Sequence, residues 1–234
     1  MNESILNIKD VSIFQQDEII IENIDLEIKK GDFVYLIGKT GSGKSSFIKT
    51  LYADLRLKKG AINIGDFNLQ NLNDGEIPYL RRKLGIVFQD STLLDDRSIY
   101  DNLKFVLNAT DWKNEKLIDD RINEVLDIVK INDLKYKYPH ELSGGQKQKV
   151  SISRALLNKP DLIIADEPTG NLDPKTSLEI MDLLLDLNQK GNTILMATHD
   201  LLLIKKFPKT TLLCSNKSIE EINILKMSIE NIYA

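Results

Sequence analysis

Residues 38–45 read Gly-Lys-Thr-Gly-Ser-Gly-Lys-Ser, and this run constrains the chain more than any other. It fits the pattern G-x-x-x-x-G-K-S. An apolar stretch at 33–37 precedes it, and a helical pattern over about 44–54 follows it. The glycines let the backbone wrap closely, so that successive N–H groups point at a phosphate chain. The start of the next helix adds positive potential. Gly38, Lys39, Thr40, Gly41, Ser42, Gly43, Lys44, Ser45 and Ser46 are therefore expected to cradle phosphate. The Lys44 ammonium can serve the β- and γ-phosphates, and the Ser45 hydroxyl can offer an oxygen to Mg²⁺.

The surrounding pattern is an alternation of strands and helices. Apolar-rich segments at 5–8, 19–28, 33–37, 61–64 and 85–88 read as strands, with a turn at Lys30-Gly31-Asp32. From about 90 to 159 the spacing is helical, with helices expected at 98–107, 115–131 and 143–157. Alternation then returns: strand 162–165, helix 174–188, strand 193–197, helix 200–206. The tail, 218–233, also has helical spacing. This predicts an α/β fold: a mainly parallel sheet with helices, interrupted by a helical insertion. A single domain over 1–234 is expected, with a core of about 1–89 and 160–234 and a helical part of about 90–159.

Leu162-Ile163-Ile164-Ala165-Asp166-Glu167 is an apolar run ending in two carboxylates. Buried strands of parallel sheets look like this, and ligands sit at their C-terminal ends. Asp166 can hold Mg²⁺ through water. Glu167, facing the other way along an extended chain, can orient or deprotonate an attacking water. On its own such a pair more often caps a helix; beside a phosphate loop the metal-and-water reading gains. A second anion site is legible at Leu142-Ser143-Gly144-Gly145-Gln146, where Ser143 is a good N-cap and the glycines leave N–H groups uncovered. Two such loops on one chain suggest a two-fold dimer in which each nucleotide would lie between the first loop of one copy and the second loop of the other, an arrangement that spacing alone does not show.

Global properties narrow the partners. The formal net charge is -4, which gives no electrostatic reason to expect nucleic acid. The one cysteine, Cys214, cannot pair within the chain, in keeping with a reducing compartment. The start lacks the basic and apolar pattern of a signal peptide. No window approaches the roughly 18 apolar residues of a membrane span. Any membrane role is expected to come through a partner.

With these motifs in place, the sequence closely resembles the ABC ATPase family over about 11–206. Ser143 to Gln146, after Leu142, resemble the family signature, and Ile163 to Pro168 its Walker B segment. Gln89 resembles the Q-loop glutamine that contacts Mg²⁺ and faces a membrane partner. Asn171-Leu172-Asp173 resembles the D-loop, which communicates across a dimer, although Asp173 before Pro174 also reads as a helix cap. His199 resembles the switch histidine at the γ-phosphate. Phe14 falls where the family places an aromatic that stacks on adenine; a phenylalanine on an alternating strand is also an ordinary core residue. Lys147, Lys149, Ser151 and Ser153 depart slightly from the usual signature helix.

The resemblance implies the P-loop NTPase fold of ABC ATPases. That fold has a RecA-like core, an N-terminal antiparallel β part and a helical subdomain that carries the signature. It also implies ATP and Mg²⁺ as ligands, hydrolysis by Lys44, Gln89, Glu167 and His199, and an ATP-bound homodimer. Residues 165–173 are similar to the branch of lipoprotein-releasing, macrolide-export and cell-division ATPases. Within that branch the cell-division member is most similar at 76–82, at 88–90 with 93–102, and at His199-Asp200 followed by Phe207-Pro208. The implied partner is an FtsX-like integral membrane subunit. The implied location is cytoplasmic, on the inner face of the plasma membrane. A lipoprotein-releasing or macrolide-type exporter is the alternative. A DNA-repair-type ATPase fits less well, because only about a hundred residues separate the phosphate loop from the signature.

Overall fold

Two sheets carry the fold, and their strands come from both ends of the chain. The computed structural model describes residues 3–226. The first sheet is antiparallel, with strands β1 (Ser4–Gln15), β2 (Glu18–Lys29), β4 (Lys59–Ile64) and β5 (Phe67–Asn68) in the order β2-β1-β4-β5. The second has six strands: β3 (Phe33–Ile37), β6 (Leu84–Val87), β7 (Leu162–Asp166), β8 (Thr193–Ala197), β9 (Thr210–Ser215) and β10 (Ser218–Ile222). Their order is β10-β9-β3-β8-β7-β6, parallel throughout except for the β9–β10 hairpin.

The helices are α1 (Lys44–Leu51), α2 (Ile77–Arg82), α3 (Ile99–Ala109), α4 (Glu115–Ile128), α5 (Gly144–Leu156), α6 (Pro174–Gln189) and α7 (Leu201–Lys206). Local chemistry sets several of their starts. Ser98 and Asn114 cap α3 and α4 by accepting the N–H of Asp101 and Leu117. Asp173 and Pro174 open α6 in the same way.

Every residue of β3 and β8 is buried, as expected of strands covered on both faces. The period of two then divides the side chains between two cores. Phe33, Tyr35, Ile37, Ile163, Ala165, Ile194 and Met196 pack with α3, α4, α5 and α6. Val34, Leu36, Leu162, Ile164, Leu195 and Ala197 pack with α1 and the antiparallel sheet. Each fully buried Leu or Ile stabilises by about 1.5–3 kcal/mol, so the central strands hold both halves together. Arg121, buried on α4, donates through Nε to the Leu157 carbonyl at 2.9 Å and through Nη2 to that of Leu156. A cation on the last carbonyls of α5 locks these two helices.

Several elements differ from the sequence reading. β1 runs on to Gln15 because Asp10 (φ 46°) and several register shifts interrupt the alternation without ending the strand. α2 and β9 were not expected at all. Residues 218–222 form β10, where helical spacing suggested a helix. Ile219 and Ile222 are three apart, which imitates a helix face, but Asn216 (φ 49°) and Lys217 (φ 60°) form a two-residue hairpin turn that returns the chain onto β9. The part of that expected helix from 227 onward lies outside the described residues.

Candidate functional site

Parallel register decides which residues meet. Leu36 pairs with Ala197, Ala197 with Asp166, and Ala165 with Val87. Four strands therefore end at one level, and the loops that follow them carry Gly38, Gln89, Glu167 and His199. Lys44, Ser45, Gln89, Asp166, Glu167 and His199 line one cleft of about 370 Å³. Thr40, Gly41, Gly43 and Ser46 complete its floor, and Gln15 and Ile20 of the β1–β2 hairpin form a wall.

The floor is built for an anion. Gly43 precedes α1 with φ 108°, and no side chain caps the helix, so the first-turn N–H groups are left to other partners. The Lys44 ammonium donates to the carbonyls of Gly38 at 2.7 Å and Lys39 at 3.1 Å, which holds it in the mouth of the loop. Ser42 Oγ is buried with no hydrogen-bond partner. The Cys214 thiol of β9 supports the loop from below by donating to the Ser42 carbonyl at 3.1 Å.

Asp166 ends β7 half-buried. Burial pushes its carboxyl up, the Glu167 charge pushes it further, and Lys44 and Lys49 pull it back. Glu167 is not on an extended chain as the sequence reading had it. Its φ is 50°, and its N–H donates to the Ala197 carbonyl at 3.0 Å. A left-handed non-glycine residue costs about 1–3 kcal/mol, here held by the neighbouring strand. The turn brings Glu167 Oε2 to 2.7 Å from His199 Nδ1. A second cleft, of about 660 Å³, lies beyond that pair between Thr169–Leu178 and α7, but contains none of the phosphate loop.

Gln89 Nε2 donates to Asn171 Oδ1 at 3.1 Å, and Asn171 Nδ2 donates to Asp90 Oδ1 at 3.1 Å. Asp166, Gln89 and Ser45 line one cleft, and the hard oxygen donors they carry suit Mg²⁺. Among the described residues no group of three or more His, Cys, Asp or Glu forms a cage. Mg²⁺ needs none, since it takes most of its ligands from phosphate and water. The donor set and the orphaned Ser42 hydroxyl fit a Mg²⁺-nucleotide.

Other expected residues lie elsewhere. Ser143 Oγ accepts from Gln146 N–H at 3.3 Å, and Gln146 Oε1 accepts from Ser143 N–H at 2.9 Å, a capping box at the start of α5. None of Ser143, Gly144, Gly145 and Gln146 lines the cleft; Gly144 and Gly145 instead face Leu172 and Thr176. Asp173 caps α6, and its hydrogen bonds to Thr176 and Lys175 hold its carboxyl below the ordinary range. Phe14 is half-buried beside Gln15, outside the cleft lining, with the Lys58 ammonium 5.5 Å from its ring centroid. The sequence reading missed Gln15, Ile20 and Cys214. Their only signal was an alternating strand, which does not say what the side chains meet.

The sequence profile described as ABC transporter matches residues 21–170. The chain is 40% identical to the cell division ATP-binding protein FtsE of Streptococcus pneumoniae, over 84% of this chain and 86% of that one. It is 44% identical to FtsE of Bacillus subtilis, over 77% and 78% respectively. It is also 38% identical to the methionine import ATP-binding protein MetN of Carboxydothermus hydrogenoformans, over 86% of this chain and 60% of that one. Among solved structures, cbiO1 from Clostridium perfringens, part of the ABC transporter complex cbiONQ, superposes with a TM-score of 0.86 at 30% identity, covering 95% and 89% of the two chains. The dimeric post-hydrolysis cassette MJ0796 bound to ADP and Pi gives 0.81 at 30% identity, covering 94% and 98%.

Proposed function

The chain belongs to the ABC transporter family and is an ATP hydrolase, and from that premise we propose that it is the FtsE-like motor of a membrane complex in cell division. One observation carries the chemistry: the parallel register that gathers Lys44, Gln89, Asp166, Glu167 and His199 at one cleft while leaving the start of α5 outside it. In this reading one copy binds ATP and a second copy completes the site.

The loop N–H groups and Lys44 hold the β- and γ-phosphates. Asp166, Gln89 and Ser45 would hold Mg²⁺, whose charge would offset that of the phosphates. Ser143, Gly144 and Gly145 of a second copy close over the γ-phosphate. Glu167 orients a water and takes its proton as the water oxygen bonds to the γ-phosphorus and the bond to the bridging oxygen breaks. His199, 2.7 Å from Glu167, steadies that carboxylate and lines the same cleft, beside the γ-phosphoryl group that is transferred to water. Loss of the γ-phosphate removes the cross-copy contacts, and the dimer opens.

Among the described residues no helix is long and apolar enough to cross a membrane. The proposed attachment is therefore to an FtsX-like integral membrane subunit, on the inner face of the plasma membrane, through the surface around Gln89. Identities of 40–44% to FtsE proteins, against 38% to a MetN protein, favour division over import. The test is affinity capture of the Glu167→Gln chain with ATP from detergent-solubilised native membranes. An FtsX-like protein is expected. A methionine permease, a lipoprotein-release permease or a macrolide-export permease would overturn the division role and leave the ATPase chemistry in place.

A further inference from the structure

The chain of amide contacts from Asp90 to Gln89 has a polarity that only one end can set. A carboxylate accepts hydrogen bonds and has nothing to donate. Asp90 Oδ1 therefore takes the NH₂ group of Asn171, at 3.1 Å. That turns the Asn171 oxygen outward, where it can only accept. It takes the NH₂ group of Gln89, also at 3.1 Å. The remaining end of the Gln89 amide is its oxygen, on a residue that lines the nucleotide cleft. A cation binds amide oxygen and is repelled by amide N–H.

We propose that Asn171 is a positioning residue that fixes the orientation of the Gln89 amide, with Asp90 setting the direction of the relay, so that Gln89 Oε1 faces the metal of the bound nucleotide. Gly170 belongs to the same device. A Cβ there would come within 3.0 Å of Gln89 Nε2, so the missing side chain leaves room for the amide to lie against the 170–171 turn. Residues 82 positions apart are thereby tied, and rotation of the Gln89 amide must break the Asn171 contact.

This inference rests on reading Gln89 as a metal-facing residue, and the test separates the two. The probe is AMP-PNP, whose affinity for the full chain is measured with Mg²⁺ and again in EDTA. The ratio of the two affinities reports the metal's contribution to binding. Asn171→Leu keeps the side-chain shape and removes the relay; it is expected to lower the ratio about fivefold, the worth of one oriented hydrogen bond, with the EDTA affinity unchanged. Asp90→Asn, which allows the relay to run either way, is expected to lower it by a smaller factor. Neither change should add to Gln89→Ala, because all three act through one amide.

In ATP hydrolysis with Mg²⁺, Asn171→Leu should raise the KM for ATP by about the same fivefold and also reduce kcat. A normal ratio in Asn171→Leu beside a lowered one in Gln89→Ala would overturn the relay alone. A normal ratio in Gln89→Ala would overturn it together with the metal role of Gln89. Additive losses in the double variant would assign Asn171 an effect that does not pass through Gln89, and would also overturn it.

Discussion

Replacing Gly38 by alanine separates two reasons for a glycine at the start of the phosphate loop. If it is needed only to let phosphate approach, the nucleotide-free chain will tolerate alanine. The structure gives a different reason. Gly38 has φ +153°, and a Cβ there would stand 2.3 Å from the Cys214 carbonyl of β9 and 2.7 Å from Ser42 Oγ. The first distance is far inside the roughly 3.5 Å at which such atoms pack. Gly41 is the internal control, with φ +82° and nothing within 4 Å of its Cβ position.

Alanine at 41 carries only the cost of an unfavourable φ, about 1 kcal/mol after the gain from a stiffer unfolded chain. Alanine at 38 adds about 1–3 kcal/mol of overpacking against backbone, for a total of about 2–4 kcal/mol. For a chain of this size each kcal/mol moves the midpoint by about 2–4 °C. The thermal unfolding midpoint by circular dichroism, without nucleotide, should therefore drop by about 2–4 °C for Gly41→Ala and by about 4–16 °C for Gly38→Ala. Equal midpoints for the two variants would refute the argument that β9 dictates glycine at 38.

Three further outcomes are expected. Glu167→Gln should keep ATP binding and lower turnover by about 10²–10⁴, measured as phosphate release; a loss under tenfold would remove this carboxylate as the base. Asp166→Asn should abolish hydrolysis yet raise the melting temperature at pH 7. Burial and the Glu167 charge raise the folded-state pKa of Asp166, so its contribution to stability falls as pH rises from the ordinary value near 3.9 through the raised one. The stabilisation of the variant should accordingly shrink on acidification towards pH ~4, and a variant less stable than wild type at neutral pH would contradict that sign. Ser143→Arg should leave nucleotide affinity of the single chain intact and prevent the ATP-bound dimer in sedimentation; an undisturbed dimer would sink the composite site.

The sequence alone determined the strand–loop–helix at Gly38 and the apolar strand that ends in Asp166. Lys44, Asp166 and the strand–loop–helix around Gly38 are legible because each depends on local backbone geometry and on residues close in the chain. The apolar runs at 162–165 and 193–197 announce buried parallel strands for the same reason. Long-range register was not legible. Only the pairing of Ala197 with Asp166 brings His199 to Glu167, and only those of Leu36 with Ala197 and Val87 with Ala165 bring the phosphate loop and Gln89 to the same cleft.

The left-handed turn at Glu167 follows from a hydrogen bond to the neighbouring strand, so an extended chain was the wrong local inference. The β9–β10 hairpin was hidden because Ile219 and Ile222 have helical spacing, and their strand state is fixed by pairing with residues of β9. The roles of Cys214 under the loop and Asn171 beside Gln89 belong to contacts 172 and 82 residues apart. Periodicity carries no information on such contacts, because they arise only when separate strands and loops are packed at one edge of the sheet.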